Sequence, residues 1–332
     1  MSVILSNSPD WSQKGLDVHL FIIYTRGRKD KHRSKAGYID QSGKEIIAPH
    51  FDDGISFCEG LAAVKSGGKW GFIDHRGEFV ISPKFPSYSR FHGGLASMNL
   101  GQQWGFIDRS GRVVIDYSYD TVFAFSEGLA TVQLNDKSGF IDQSGAEIIP
   151  PMYDDARGFS EGLAAIKQNG AWGYADHSGA LTIPAQFSAA DFKAALSFAD
   201  GLGRVPVQNR FGYINRQGEM VIPPEFELAG PHVQGLACVK LKDLYGYIDK
   251  TGRLVIAARF AHADDFHDDR ARIRIGERYG FINPEGEVVI APKFIGAEDF
   301  RYGLSYVETE DSVGYINAAG EFVWRGQHVE SR

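Results

Sequence analysis

Cysteine is scarce in this sequence: Cys58 and Cys238 are the only two among 332 residues, and neither has the spacing of a thiolate metal site. A disulfide framework is therefore excluded, and we expect two free thiols in a reducing compartment. Long apolar runs are missing too. The apolar stretch 19–24 is far too short to cross a bilayer, and the first residues lack the pattern of a secretory signal. The sequence thus predicts a cytoplasmic protein.

Positive charge is not in excess. The formal net charge is -7 and the sequence pI is about 5.8, which argues against nucleic acid or an anionic membrane as the main partner. Hydrophobic residues make up 43% of the chain and charged residues 23%, as in a folded protein rather than a disordered one.

Catalytic constellations are also missing. The glycine-rich loop 66–69 has no helix behind it to bind a phosphate. The only histidine cluster with any resemblance to a metal site contains His262, Asp264 and His267, and its position favours a solvated acidic loop instead. We therefore expect no catalytic residues, no cofactor and no bound metal.

Glycine, in contrast, is abundant, with 39 residues. One glycine, preceded by an aromatic residue in six of its nine copies, recurs every 34 residues, with a single interval of 39. A fixed period in this range indicates a repeat architecture. The long interval reflects five extra residues near 188–200, where residues 189–196 are compatible with a helical turn or two. The repeated glycines are Gly37, Gly71, Gly105, Gly139, Gly173, Gly212, Gly246, Gly280 and Gly314.

Each repeat is predicted to be a three-stranded antiparallel meander. Residues 61–64 represent the first strand, residues 104–107 the second and the pair Val80-Ile81 the third. Between the second and third strands, all nine repeats have Asp or Asn, two variable residues and Gly. The Asx side chain caps such a turn, and the glycine adopts the left-handed conformation.

Apolar residues stand next to one another in these strands, as in Phe72-Ile73 and Val80-Ile81. This pattern predicts that both faces of each sheet are covered by neighbouring repeats. We expect one repeat domain over residues 18–325, an N-terminal tail or cap at 1–17 and a C-terminal tail at 326–332. Aromatic residues in the linkers, such as Phe51 and Phe85, should anchor each link to the core.

The motif Trp-Gly-Phe-Ile-Asp-x-x-Gly, followed by Val-Ile-x-Pro-x-Phe and Phe-x-x-Gly-Leu-Ala, resembles the WG-repeat (KWG-repeat) proteins, which are mostly bacterial. The resemblance covers nearly the whole chain, although Ala36, Ser138 and Val313 replace the signature aromatic. It implies a β-repeat binding scaffold with no common enzymatic activity. Its structural positions include Trp70, Gly71, Asp74, Gly77, Trp104, Gly105, Asp108, Gly111, Trp172, Gly173, Asp176 and Gly179.

Two all-β architectures fit nine repeats of about 34 residues. An open, solenoid-like stack is favoured, because propellers typically have about four to eight blades and nothing indicates a blade shared between the two ends. A closed, propeller-like ring is the alternative.

Two basic features break the repeat. Arg270, Arg272 and Arg274 lie on one face of a strand where other repeats have leucine and small residues, and Arg204 is equivalent to Arg272 in an earlier repeat. They form either a salt network with nearby aspartates or a groove for an anionic partner. The basic loop at 25–35 is either a docking arm or a solvated hairpin tip, and it contains Arg26, Arg28, Lys29, Lys31 and Arg33.

The sequence therefore predicts a non-enzymatic scaffold that binds a protein partner, and the resemblance extends this to a toxin-neutralising or effector-associated role. The alternative is a lectin that binds a glycan or small ligand. That alternative requires exposed rings at Trp70, Trp104 and Trp172, whereas the scaffold hypothesis places them between repeats.

Overall fold

The computed structural model describes residues 19–25, 34–188 and 197–327, and these ranges contain β-strands but no helix. The strands form nine separate antiparallel sheets, one for each sequence repeat. The sheets are called blades 1 to 9 in chain order. The extra residues 189–196 and most of the basic loop lie outside the described residues, so the helical turn expected at 189–196 stays a prediction.

Blade 1 has three strands: β1 (Phe21–Tyr24), β2 (Ala36–Ile39) and β3 (Glu45–Phe51). The other eight blades have four strands each, joined in chain order. Their first strands are β4 (Asp53–Gly54), β8 (Phe91–His92), β12 (Thr121–Ser126), β16 (Asp155–Ala156), β20 (Phe198–Ala199), β24 (Leu228–Val233), β28 (His262–Ala263) and β32 (Gly296–Ala297).

The second strands of these eight blades are β5 (Ala62–Ser66), β9 (Leu95–Leu100), β13 (Leu129–Leu134), β17 (Ala164–Gln168), β21 (Leu202–Val207), β25 (Leu236–Leu241), β29 (Ala271–Ile275) and β33 (Ser305–Glu308). The third strands, which contain the repeated glycine, are β6 (Lys69–Ile73), β10 (Gln103–Asp108), β14 (Lys137–Asp142), β18 (Ala171–Ala175), β22 (Arg210–Ile214), β26 (Leu244–Asp249), β30 (Arg278–Ile282) and β34 (Ser312–Ile316).

The fourth strands form the outer edge of each blade: β7 (Phe79–Phe85), β11 (Val113–Tyr119), β15 (Glu147–Tyr153), β19 (Leu181–Ser188), β23 (Met220–Phe226), β27 (Leu254–Phe260), β31 (Val288–Phe294) and β35 (Phe322–Gln327). The prediction of three strands per repeat was therefore incomplete. Most of the missed first strands have only two residues, which is too short for any periodic pattern in the sequence.

The repeated glycine permits a close approach of two strands. A Cβ at Gly71 would lie 2.5 Å from the carbonyl oxygen of Ile81, because the fourth strand bulges toward the third between Ile81 and Phe85. No other residue fits such a contact. The glycine is thus required by the bulge, which explains why it persists where the preceding aromatic residue does not.

The Asx turn forms as predicted. Asp74 Oδ1 accepts hydrogen bonds from the backbone N–H groups of Arg76 and Glu78, at 2.8 and 3.1 Å. Gly77 has a φ of +83° and packs its backbone on Ile47 of the preceding blade. The turn therefore both closes a hairpin and contributes to the contact between blades.

Aromatic pairs join neighbouring blades. The ring that follows the repeated glycine packs on a ring from the first hairpin of the next blade, as in Phe72 with Phe91 at 4.9 Å and Phe140 with Phe159 at 4.8 Å. Such pairs contribute about 0.5–1.5 kcal/mol beyond the area that they bury. The linker rings Phe51 and Phe85 are also buried, as expected.

The nine blades form a closed ring, a nine-bladed β-propeller. Between internal blades, Gln143 Nε2 donates to the carbonyl of Gly93 at 2.9 Å; at the closure, Gln41 Nε2 of blade 1 donates to the carbonyl of Tyr302 in blade 9 at 2.8 Å. Buried Phe21 packs on Tyr315 there. The favoured open stack was wrong and the ring alternative is correct.

The sequence misled on this point for a physical reason. A propeller blade completed by strands from both ends would have left a trace in the repeat pattern. Here each described blade takes its strands from one continuous segment, and the ring closes through side-chain packing and hydrogen bonds made by side chains. That kind of closure leaves no signal in strand order.

Candidate interaction surface

The outer strands expose apolar side chains around the ring. In most of them the first two residues point outward and the third is buried, as in Phe79 and Val80 with 42% and 46% exposure against 3% for Ile81. The expectation that neighbouring repeats cover both faces is therefore wrong for these strands. On the third strands it holds, since Phe72 and Ile73 are both buried.

This exposed set is called the outer belt. It extends over blades 1 to 8, and one member, Phe79, also packs edge-on against the buried ring of Phe51 in blade 1 at 5.8 Å. Its members are Ile46, Phe79, Val80, Val113, Ile148, Leu181, Met220, Val221, Leu254, Val255, Val288 and Val289.

Prolines interrupt the backbone of the outer strands in six blades. An outer-strand proline removes a backbone donor, so another β-strand cannot pair continuously along that edge. The belt is therefore suited to contact through side chains rather than through an added strand. The prolines are Pro49, Pro83, Pro150, Pro151, Pro184, Pro223, Pro224 and Pro292.

The signature tryptophans lie between blades. Trp70 and Trp172 are 6% and 4% exposed, and the guanidinium of Arg157 lies 5.1 Å from the Trp172 ring. Trp104 is half-buried and packs on the core between blades 3 and 4. Trp70 and Trp172 thus lack the exposure that a stacking sugar needs.

Arg272 belongs to an ion network. Its Nε donates to Asp264 Oδ2 at 2.8 Å and lies 3.9 Å from Asp299 Oδ1, while its Nη1 donates to the carbonyl of Ala297 in blade 9. Burial alone would lower the pKa of Arg272, but the hydrogen bond to Asp264 and the two carboxylate charges outweigh it and raise that pKa. Arg272 therefore holds blades 8 and 9 together.

The other arginines of the stripe do not join this network in the same way. Arg270 Nη1 donates to the carbonyl of Asp269 at 3.0 Å, and Arg274 is half-buried with its Nε lacking a hydrogen-bond partner among the described residues. Arg204 makes the contact equivalent to that of Arg272, because its Nη1 donates to the carbonyl of Ala229 in the next blade. A binding role for these arginines stays a prediction.

A half-buried acid lies beside Arg204. Burial raises the pKa of Asp265 to about 6, although the charges of Arg204 and His267 oppose the shift. Asp265 belongs to blade 8, yet a Cβ at Gly230 of blade 7 would lie 2.3 Å from its Oδ1. The Asp265 side chain therefore lies in the contact between blades 7 and 8.

The weak metal candidates are not brought together. His262 Nε2 lies 3.1 Å from Asp264 Oδ2, whereas His267 Nε2 lies 3.8 Å from Asp299. Within the described residues, no group of three His, Cys, Asp or Glu is placed to hold a metal ion. The same residues contain no helix that is long and apolar enough to span a membrane.

The basic loop falls largely outside the described residues, including Arg26, Arg28, Lys29, Lys31 and Arg33. Its two ends are joined by hydrogen bonds between Thr25 and Lys35, and Lys35 Nζ forms an ion pair with Asp52 at 2.7 Å. The loop thus starts and ends on a fixed base in blade 1.

A small cavity of about 100 Å³ lies where the ring closes. Its apolar wall includes Phe21, Leu304 and Tyr306, and Asp299 contributes to its polar side. No motif in the sequence pointed to this cavity. The belt had one detectable trace, an alternation of exposed and buried positions after the Val-Ile pair, which the adjacent apolar residues obscured.

Known proteins resemble this chain in motif and in fold. The family described as WG containing repeat matches residues 37–70, 70–102, 104–137, 139–170, 172–205, 211–245, 245–279 and 279–311. No curated protein matches the chain.

Among solved structures, a crystal structure of the eukaryotic initiation factor superposes with a TM-score of 0.67 at 11% identity, over 95% of this chain and 96% of that one. The computationally designed Ika8 protein gives a TM-score of 0.46 at 10% identity, over 73% of this chain and 86% of that one. BamB from Moraxella catarrhalis gives a TM-score of 0.44 at 12% identity, over 65% of this chain and 76% of that one. At such identities the first of these shows a shared fold and nothing more.

Proposed function

This chain belongs to the family of WG-containing repeat proteins, and we propose that it is a non-enzymatic scaffold that binds a protein partner through the outer belt of its ring. The observation that carries the proposal is the exposure of apolar side chains in consecutive outer strands. Apolar side chains that are exposed as a group on a folded protein mark an interaction site, whereas singly scattered ones do not.

The chemistry of the belt favours a protein over a glycan. Its members are mainly Val, Ile, Leu and Met, which offer neither an aromatic platform for a sugar ring nor many hydrogen bonds. Flanking charged residues, such as Glu78 and Lys84, would form the polar rim of an interface. Bulky apolar side chains on a rigid edge suit a partner that presents an apolar patch of its own.

Burial of the tryptophans also disfavours the lectin alternative. Trp70 and Trp172 contribute to the packing between blades and cannot stack on a ligand without breaking that packing.

We place the protein in a reducing compartment such as the cytoplasm. Cys58 and Cys238 are both free, and they lie in different blades.

Site-specific photo-crosslinking in the native host tests the proposal. The crosslinking amino acid replaces Val80 or Val255 on the belt, and replaces exposed Lys69 or Asp136, on hairpins away from the belt, as matched controls. We expect the same protein to be crosslinked at both belt positions and at neither control. Crosslinking at the controls alone, or at none of the four positions, would overturn the proposal.

Charge substitution sharpens the result. Val80→Asp and Val255→Asp should reduce capture of the crosslinked protein by about tenfold or more, since burying an unpaired carboxylate at an interface costs several kcal/mol. Lys69→Asp is the matched control and should leave capture intact. Melting temperatures of all three variants should stay close to that of the wild type, because each site is on the surface.

A further inference from the structure

A single buried histidine replaces a repeated phenylalanine. In the first hairpin of seven blades, the residue that packs on the preceding blade is a phenylalanine: Phe57, Phe91, Phe125, Phe159, Phe198, Phe266 or Phe300. In blade 7 the equivalent residue is His232. It is 1% exposed, and its ring lies edge-on to Tyr213 of blade 6 at 4.7 Å, which is close to the distance between the equivalent phenylalanines and their partner rings.

The surroundings of His232 suit only the neutral ring. Nε2 lies 3.4 Å from the carbonyl oxygen of Asp249, so that nitrogen carries the hydrogen and donates it. Nδ1 is buried and has no hydrogen-bond partner among the described residues. A second proton would sit on Nδ1, where no acceptor receives it, and the charge would be enclosed among aromatic and aliphatic groups.

The charged groups that face His232 come from both blades. Asp200 of blade 6 and Asp249 of blade 7 favour the protonated ring, and Lys250 of blade 7 opposes it. Burial is the largest influence and lowers the pKa of His232 despite the carboxylates. Asp200 is also engaged elsewhere, because its Oδ2 accepts a hydrogen bond from the backbone of Gly235 at 2.7 Å and lies 3.8 Å from Lys250 Nζ.

We propose that His232 makes the contact between blades 6 and 7 an acid-sensitive joint, which loosens when the buried ring takes up a proton. The proposal goes beyond partner binding, because it concerns a regulated opening inside the ring. Opening of the joint exposes His232 to water, where a histidine titrates at its ordinary pKa of about 6.5.

The direction of the pH effect follows from linkage. The closed joint holds His232 neutral and the open joint lets it bind a proton, so the open form takes up more protons below about pH 6.5. Closure is fully favoured above that pH and is weakened as the pH falls. The ratio of open to closed joint should rise by up to about tenfold for each further pH unit, until the closed form is itself protonated.

Asp265 acts in the opposite direction over a similar range. Its raised pKa of about 6 means that the folded ring gains stability as this acid is protonated, between about pH 6 and pH 4. The pH dependence of the protein's stability therefore includes opposite contributions from His232 and Asp265. A comparison of variants at position 232 cancels the Asp265 contribution, because every variant retains Asp265.

The test uses the full chain and three variants. His232→Phe restores the residue of the other blades, His232→Gln keeps a polar but non-titrating side chain, and His50→Gln removes an exposed histidine as a matched control. Hydrogen–deuterium exchange of peptides covering residues 212–214 and 232–236 is measured at several pH values between 5 and 8. Variants are compared with the wild type at the same pH.

We expect exchange at these two segments to accelerate below about pH 6.5 in the wild type and in His50→Gln, relative to His232→Phe. Peptides from the blade 3–4 contact should behave alike in all four proteins. His232→Gln should show the same loss of pH sensitivity as His232→Phe, whether or not the substitution changes the overall stability of the protein. Parallel pH curves for the wild type and both His232 variants would overturn the proposal.

Discussion

The contact that closes the ring, between blades 9 and 1, differs from the internal contacts in one essential way. Internal neighbours are covalently linked by the chain, whereas blades 9 and 1 are held only by packing and hydrogen bonds. Equivalent groups are used at both places. Tyr247 donates its hydroxyl hydrogen to the carbonyl of Asp264 in the next blade at 2.7 Å, and Tyr315 of blade 9 donates to the carbonyl of Ile22 in blade 1 at 2.9 Å.

The closing contact also departs from the repeat. Trp324 occupies the position of a buried isoleucine such as Ile290, and Gly43 packs on the backbone of Val323 rather than on an isoleucine side chain. Phe21 comes from β1, which pairs with the strand of the repeated glycine as the second strands of the other blades do, whereas the partner rings of internal blades come from first hairpins. A ring can therefore close through the same kind of contact that joins its internal repeats, provided that the residues at its two ends are adjusted to each other.

The largest predicted loss of stability comes from removing a buried aromatic ring, at an internal contact or at the closing contact. Phe106→Ala removes a fully buried ring from the contact between blades 3 and 4, and should lower the free energy of unfolding by about 3–5 kcal/mol. Phe21→Ala should cost a similar amount, because Phe21 is 8% exposed at the closing contact. Denaturant unfolding of both variants checks this. An unchanged transition for Phe106→Ala would refute its interior position, and a cost near zero for Phe21→Ala alone would refute closure.

A smaller loss of stability is expected from substituting either of two turn glycines. Gly43 and Gly320 have φ angles of +84° and +79°, so alanine at either site should cost about 1–2 kcal/mol for the left-handed backbone alone. A Cβ at Gly43 would lie 1.9 Å from the carbonyl oxygen of Val323, whereas one at Gly320 would lie 3.1 Å from the side chain of Ile290. Gly43→Ala should therefore be the more destabilising, by thermal unfolding. Equal costs would mean that Val323 is not beside Gly43.

A third pair of variants removes one hydrogen bond from the closing contact and one from an internal contact. Tyr315→Phe and Tyr247→Phe each leave a backbone carbonyl without its tyrosine donor and should cost about 1 kcal/mol. Thermal or denaturant unfolding of the two variants, measured side by side, gives the comparison. If Tyr247→Phe is destabilising and Tyr315→Phe is neutral, the hydrogen bond across the closing contact does not form in solution.

The smallest effect concerns an exposed turn. The hydroxyl of Thr251 and the backbone N–H groups of the turn lower the pKa of Asp249 to about 2. A carboxylate with a lowered pKa stabilises the fold above its ordinary pKa and loses that contribution as the pH falls toward 2. Asp249→Asn should thus be nearly silent at pH 7, because Asn215 makes the same turn bonds, and should flatten the loss of stability below about pH 4. A large loss at pH 7 would contradict this account of the turn.

Much of the blade could be predicted from the sequence. The repeated glycine, the Asx turn and the buried aromatic residues depend on local geometry, which each repeat shows again, as Gly71 and Asp74 illustrate. Ring closure could not be predicted, because Gln41 and Tyr302 are 261 residues apart and the repeat pattern is the same whether or not the last repeat meets the first. The two-residue first strands escaped because a strand of that length has no alternation to detect.

The candidate site was predicted less well. The arginine stripe was found because it breaks the repeat, and the structure shows how Arg272 is neutralised by Asp264. The outer belt was missed because Val80 and Ile81 are both apolar, and composition does not reveal which of them faces solvent. His232 was missed for another reason: a histidine at a phenylalanine position is visible only when the hairpins are compared in register.

The distance between blades 9 and 1 in solution tests the central claim, closure of the ring, most directly. Spin labels at Lys44 and Glu321, which occupy equivalent exposed turn positions, are measured by double electron–electron resonance after replacement of Cys58 and Cys238. The pair Lys44 and Glu78, in covalently linked blades 1 and 2, is the reference. A closed ring predicts the same distance distribution for both pairs. A much longer distance for Lys44 and Glu321 would show an open array and contradict the ring.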